Sequence, residues 1–174
     1  MIISQFIFGQ LCFSKEDQEL WEDNPVDYIN KKMDPLDDFR SPVLAASNLL
    51  IDLAVDRKKT TLMPILAFVN NILTSYNQAA PEARDPYYKD GALNIMATLA
   101  APLSSKRSPI ADSLEEFLAT HVVPEFSSTY GFLRCRALDA FGRYASREFT
   151  NKDLLVTATN RILERLHDPE IPVR

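Results

Sequence analysis

Glycine is scarce: the 174 residues hold four, Gly9, Gly91, Gly131 and Gly142. Loops that cradle phosphate need clustered glycines, and neither GxGxxG nor GxxxxGK[ST] occurs. Cysteine is nearly absent too. Cys12 and Cys135 lie far apart among apolar neighbours, so they form neither a disulfide framework nor a zinc site. They read as buried structural residues in a reducing, intracellular setting. Two histidines give no HExxH, and no GxSxG is present. His121 and His167 fall at helix C-termini, where the dipole favours them. No carboxylate pair stands apart, and Asp85, Asp90 and Asp168 read as helix caps or first-turn acids. An enzyme is therefore not expected, and no catalytic, cofactor-binding or metal-binding residue is assigned. No run of 18 apolar residues exists to cross a membrane. Residues 1–13 resemble a signal sequence only faintly, lacking a basic start and a small-residue cleavage site. Basic and acidic residues number 19 and 24, a net charge of −5. That balance gives no reason to expect nucleic acid or an anionic membrane as the partner. Acid gathers at 16–22 and 34–38 and base at 57–59 and 134–147, a pattern that reads as solvated faces.

What the chain does have is a pattern that returns. A small Ala is followed by an apolar residue four on and another seven on: Ala46, Leu50, Leu53; Ala92, Met96, Leu99; Ala137, Phe141, Tyr144. The alanines are 46 and 45 residues apart. Periods of about 40–47 residues with two helices each mark HEAT-type solenoids. The fold class is therefore all-α, an α-solenoid of about three to four antiparallel helix pairs. One pair cannot bury its own apolar stripe, and stacking on the next does so. With 46% hydrophobic residues the chain has material for one core.

Turn signals divide the single segment 1–174 into a less regular 1–40, helix-rich repeats at 41–76, 85–123 and 132–166, and the start of another at 167–174. Residues 2–13 read as the end of a packing helix and 14–24 as an acidic loop or exposed turn. Asn24 and Pro25 open a short helix that Asp34-Pro35 ends. Ser41-Pro42 opens a helix to about Val55. Thr60 and Thr61 cap one through Tyr76, with Pro64 in its first turn. Asp85-Pro86 opens a helix that ends before Pro102. Ser108-Pro109 opens one that Pro124 stops, with Leu114, Phe117, Leu118 and Val122 on one face. Phe132 to Ser146 forms the next. Asn151 caps the last, with Leu154, Ala158, Ile162 and Leu166 as its stripe. Sustained alternation is missing, so no strand competes. Arg174 matches Arg134 in the repeat, as Arg134 matches Lys89. The apolar start and the repeat broken off at Arg174 suggest a piece of a longer solenoid, or a chain whose ends another chain covers.

For partner binding, the candidates are Arg136, Asp139, Arg143 and Arg147, spaced three, four and four, on the helix face opposite the Ala137 stripe. The repeat places this helix in the class that lines a solenoid's groove. The bland alternative is a solvated face with one internal ion pair. Trp21, Tyr28 and Phe39 read as anchors for the first segment, and Trp21 alternatively as a partner contact.

Residues 19–50 carry a more specific signature. Glu19-Leu20-Trp21, Pro25, Tyr28-Ile29, Asp37-Asp38-Phe39, Ser41-Pro42, Ala45-Ala46 and Leu49-Leu50 follow one another at set spacings. Downstream come Lys89-Asp90-Gly91-Ala92-Leu93, His121-Val122 with Pro124, Phe126-Ser127-Ser128, and Asp168 with Pro172-Val173. Together these resemble the importin-β (karyopherin-β) superfamily, in particular the branch containing importins seven and eight. The resemblance covers nearly the whole chain. It implies a middle portion of a receptor that shuttles between cytoplasm and nucleus, passing the nuclear envelope at its pores. Such a receptor wraps protein cargo, releases it on binding Ran-GTP, and makes weak contacts with phenylalanine-glycine nucleoporins. Basic cargo such as ribosomal proteins or histones is implied by the resemblance, and the acidic patches are compatible with it. The family's principal Ran-binding repeats lie outside this segment, so no Ran-contacting residue is assigned. The competing reading is a HEAT scaffold or regulatory subunit unrelated to transport, since fold does not choose between them.

Overall fold

A computed structural model describes residues 3–33 and 41–174. The acidic stretch 34–38, the Asp34-Pro35 helix stop and the Phe39 anchor lie outside the described residues. The described residues are all-α, an antiparallel helical-repeat solenoid with no strand among them. A π-helical turn, Ile3–Ile7, leads into α1 (Phe8–Leu11). Then follow α2 (Lys15–Asp23), α3 (Pro25–Met33), α4 (Pro42–Val55), α5 (Lys58–Gln78), α6 (Pro86–Thr98) and α7 (Ala100–Ser104). Next is α8 (Leu114–Phe117), which runs on through a π-helical turn, Leu118–Val122, and a 3₁₀ turn, Val123–Ser127. The chain continues with α9 (Gly131–Arg143), α10 (Lys152–Arg165) and a last 3₁₀ turn, Ile171–Val173.

The repeat marker supplies part of the core, though its Leu53 stays half-buried. Leu50, Ala92, Leu99, Ala137 and Tyr144 have no accessible surface, and Ala46, Met96 and Phe141 keep only traces. Small alanines let α4, α6 and α9 approach their neighbours closely, and the larger residues one and two turns on fill the space beyond. Tyr144 also donates its hydroxyl to the Met96 carbonyl at 2.7 Å, tying one repeat's marker to the next. The N-terminal strip enters this core. Ile7 and Leu11 are buried against the main cluster, and Asn94 of α6 donates to the Leu11 carbonyl at 2.8 Å. Gly91 explains how the strip fits: a Cβ there would run into Cys12 Sγ and sit 2.8 Å from the Phe8 ring.

Several helix starts follow the sequence signals. Asp85 accepts from the Tyr87 and Tyr88 N–H groups at 3.0 Å each, and Asn151 from Leu154 N–H at 2.9 Å. Asn24 accepts from Asp27 N–H at 3.2 Å.

Others need correction. Lys15–Asp23 is a helix, α2, and not an acidic loop or exposed turn. Ser14 accepts from Asp17 N–H at 3.0 Å while Asp17 reaches back to the Ser14 amide, a capping box with acids in the first turn. Thr60 and Thr61 do not cap α5, which starts at Lys58. Their hydroxyls donate backwards to the Arg57 carbonyl, at 3.1 and 2.9 Å, and Thr61 also donates to that of Leu53. Pro64 consequently lies inside α5 and deprives it of one backbone hydrogen bond.

Ser108-Pro109 forms turns, and the helix begins only at Leu114. Pro124 does not stop it, because the chain tightens to 3₁₀ there, where the first-turn proline is tolerated. Pro102 sits in the first turn of α7, after a break at Leu99. Helix α9 ends at Arg143, three residues early, in a tight turn that sends Arg147 away from its face.

Candidate partner-binding face

Arg136, Asp139 and Arg143 do share one face of α9, and they form a ladder of alternating charge. Arg136 Nε donates to Asp90 Oδ1 at 2.9 Å, Arg136 Nη1 lies 3.6 Å from Asp139, and Arg143 Nε donates to Asp139 at 3.1 Å. The ladder climbs from the buried Asp90 on α6 to Arg143, whose side chain is 62% exposed. It borders a cavity of about 370 Å³ walled also by Tyr28, Met33 and Phe132. Asp90 is therefore no first-turn acid. Burial pushes its carboxyl up against the pull of Arg136, and its Oδ2 carries no hydrogen bond. Arg147 is not on this face. It turns to Glu115, 3.8 Å away, whose carboxylate also accepts from the Thr150 and Asn151 N–H groups at 2.8 and 2.7 Å.

Trp21 takes the anchor position. It is 8% exposed, edge-on to Phe13 at 5.9 Å and Tyr28 at 4.9 Å, and its indole N–H donates to Glu170 Oε2 at 2.5 Å. Phe13, Trp21, Tyr28 and Val173 form a second, smaller core, which pins α2 and α3 to the last turn.

The residues that sequence reasoning missed are buried ions. Lys89, 1% exposed, donates to Glu125 at 2.7 Å and lies 4.2 Å from the Tyr76 ring centre. Arg134 makes two parallel bonds to Asp168, at 2.8 and 2.7 Å, and a third to Glu170 at 3.0 Å. Asp168 thus holds a buried guanidinium as well as accepting from the Glu170 N–H at 3.0 Å. Desolvation alone would raise its carboxyl, but the Arg134 bonds and that N–H hold it below the usual range. The signal was in the sequence: Lys89 to Glu125 and Arg134 to Glu170 are both 36 apart. These desolvated pairs, the Arg134 one bidentate, brace α6 and α9 against the turns at Glu125 and Asp168–Glu170.

The buried ions Lys89 and Arg134 are each paired with carboxylates. Burial pushes the Cys12 thiol to about 12 and Cys135 to about 11, which disfavours the thiolate at neutral pH. Burial depresses His121, which lies 3.3 Å from Asn77. Among the described residues no cluster of three His, Cys, Asp or Glu could hold a metal, and no helix is long and apolar enough to cross a membrane.

A family model described as Cse1 matches residues 1–173. Human Importin-8 is 37% identical over 174 residues, which is 99% of this chain and 16% of that protein. An importin beta-like SAD2 homolog of Arabidopsis thaliana is 34% identical over 99% of the chain and 17% of its own length. A probable importin-7 homolog of Dictyostelium discoideum is 33% identical over 99% and 16%. The chain therefore spans about one sixth of the length of these relatives. No solved structure matches it.

Proposed function

The chain belongs to the Cse1 family, and on that premise we propose that it forms part of the cargo-binding wall of a nuclear import receptor. The observation that carries this is the match to importin relatives over 99% of the chain. The fold supports it. A stack of helix pairs presents long surfaces, and its buried ions brace the stack. The receptor carries protein cargo, with basic proteins such as ribosomal proteins or histones as the cargo class, and releases it on binding Ran-GTP. It shuttles between cytoplasm and nucleus through weak contacts with phenylalanine-glycine nucleoporins. Within this segment the exposed end of the α9 ladder, Asp139 and Arg143, meets the partner, while Arg136 holds Asp139 in place. Arg147 and Trp21 serve from behind, by fixing the turn before α10 and the α2–α3 hairpin.

The test is a pull-down with the longer receptor that contains this segment, with and without Ran locked in its GTP form. Basic cargo that elutes on adding Ran-GTP supports the proposal. Partners indifferent to Ran-GTP overturn it in favour of a static scaffold.

A further inference from the structure

Between α5 and the helical stretch 110–121 the stack does not close. A cleft of about 490 Å³ remains, floored by Val69 and Met96, with Leu66 and Ala67 on one wall and Ile110 and Phe117 on the other. That volume lies within the range of pre-formed ligand pockets. Both walls depart from regular α-helix. Pro64 interrupts the hydrogen bonding of α5 one turn before Ala67. Opposite it, the chain passes from α8 into the π-helical turn Leu118–Val122, a geometry that recurs at functional positions.

Hydrogen bonds fix the cleft at each end. Lys58 donates to the Arg107 carbonyl at 3.2 Å, and Asn77 pairs with His121 at 3.3 Å. The two walls thus run parallel, strapped at top and bottom and open between. The lining is chiefly apolar. Its acid is Glu116, exposed at the rim, and the adjoining turn adds exposed Asp112. Glu115 is turned inward to Thr150 and Asn151.

We infer that this cleft is a docking site for a peptide segment of a partner protein, one that inserts an apolar side chain between α5 and 110–121 and sets a Lys or Arg against Glu116. The inference rests on reading the chain as a partner-binding wall, and it names the surface and the partner chemistry. An apolar anchor in a desolvated slot supplies affinity, and the rim charge supplies orientation and choice of partner.

The probe is a fluorescein-labelled amphipathic peptide of leucine and lysine, titrated into the chain by fluorescence anisotropy. A leucine–glutamate twin and an alanine–lysine twin serve as competitors. The leucine–lysine peptide is expected to bind at least about tenfold more tightly than either twin, because both anchor and charge are needed. Ala67→Trp, which fills the cleft, removes binding about tenfold or more. Glu116→Lys changes an exposed rim residue, and it abolishes the preference for lysine over glutamate. Tighter binding of the glutamate peptide overturns the inference, as does binding unchanged in both variants. A dimer in sedimentation that Ala67→Trp dissolves also overturns it, since the occupant is then a second copy. Ran-GTP plays no part in this titration, so its outcome and that of the pull-down fail separately.

Discussion

Ala92 and Ala137 have no accessible surface, so any atom added there must displace a neighbouring helix. Ala92→Leu or Ala137→Leu is expected to cost about 1–3 kcal/mol, read as a lower urea midpoint, with Ala46→Leu at the low end because Ala46 lies nearer the surface. That role was legible from spacing alone, since a small residue recurring at one register position marks a close approach. The roles of Asp90 and Asp168 were not. An acid near a helix start reads as a cap, and only the fold brings Arg136 and Arg134 to them from 46 and 34 residues away. Asp168→Asn leaves a buried guanidinium short of its counter-charge and is expected to destabilise by about 3–5 kcal/mol. The same residue sets a pH dependence. Its folded carboxyl is held below its unfolded value of about 3.9. The stability it gives is complete above that value and drains away as pH falls through the lower folded one. Thermal melts should therefore drop steeply below about pH 4, and Asp168→Asn should flatten part of that drop. Glu115 and Asp17, also held low by hydrogen bonds and nearby cations against their desolvation, act in the same direction.

At the scale of elements, starts were more legible than stops. Proline and cap residues act locally, so Asp85, Asn151 and Ser41-Pro42 identify where α6, α10 and α4 begin. Helix α2 was missed because its apolar periodicity is thin, although its Ser14-to-Asp17 capping box was there to be read. The helix ends at Thr98 and Arg143 depend on what Leu99 and Tyr144 pack against, which no local signal contains. The candidate face shows the same division. Steps of three and four placed Arg136, Asp139 and Arg143 together, but Arg147 was lost with the early end of α9. Helix α5 carries a prediction of its own. Pro64 costs it a hydrogen bond in mid-helix, so Pro64→Ala is expected to stabilise the fold by about 2 kcal/mol, a loss of unfolded-state rigidity partly offsetting the gain. A raised melting temperature checks it.

For the whole molecule, one outward surface stands out. On α10 the stripe is buried at Leu154 and Ala158, but its last residue, Leu166, is more than half exposed, as are Val156 and Leu163 outside the stripe. An apolar ridge of that kind drives association, so light scattering on this chain should show a mass that rises with concentration. The pair Leu163→Glu and Leu166→Glu should return it to a monomer. The other long-range feature is the bond from Trp21 to Glu170, which spans 149 positions. A helical stack is ordinarily a one-dimensional array, in which each unit answers only to its neighbours and can peel away from an edge. Here an early hairpin grips a late turn, and the line is bent into a circuit. Opening one joint between repeats still leaves its two sides joined the other way round. Trp21 is the chain's single tryptophan, so its emission watches that closure directly. Its denaturation curve should superimpose on the one that follows helix content, as it would not in a stack that unzips.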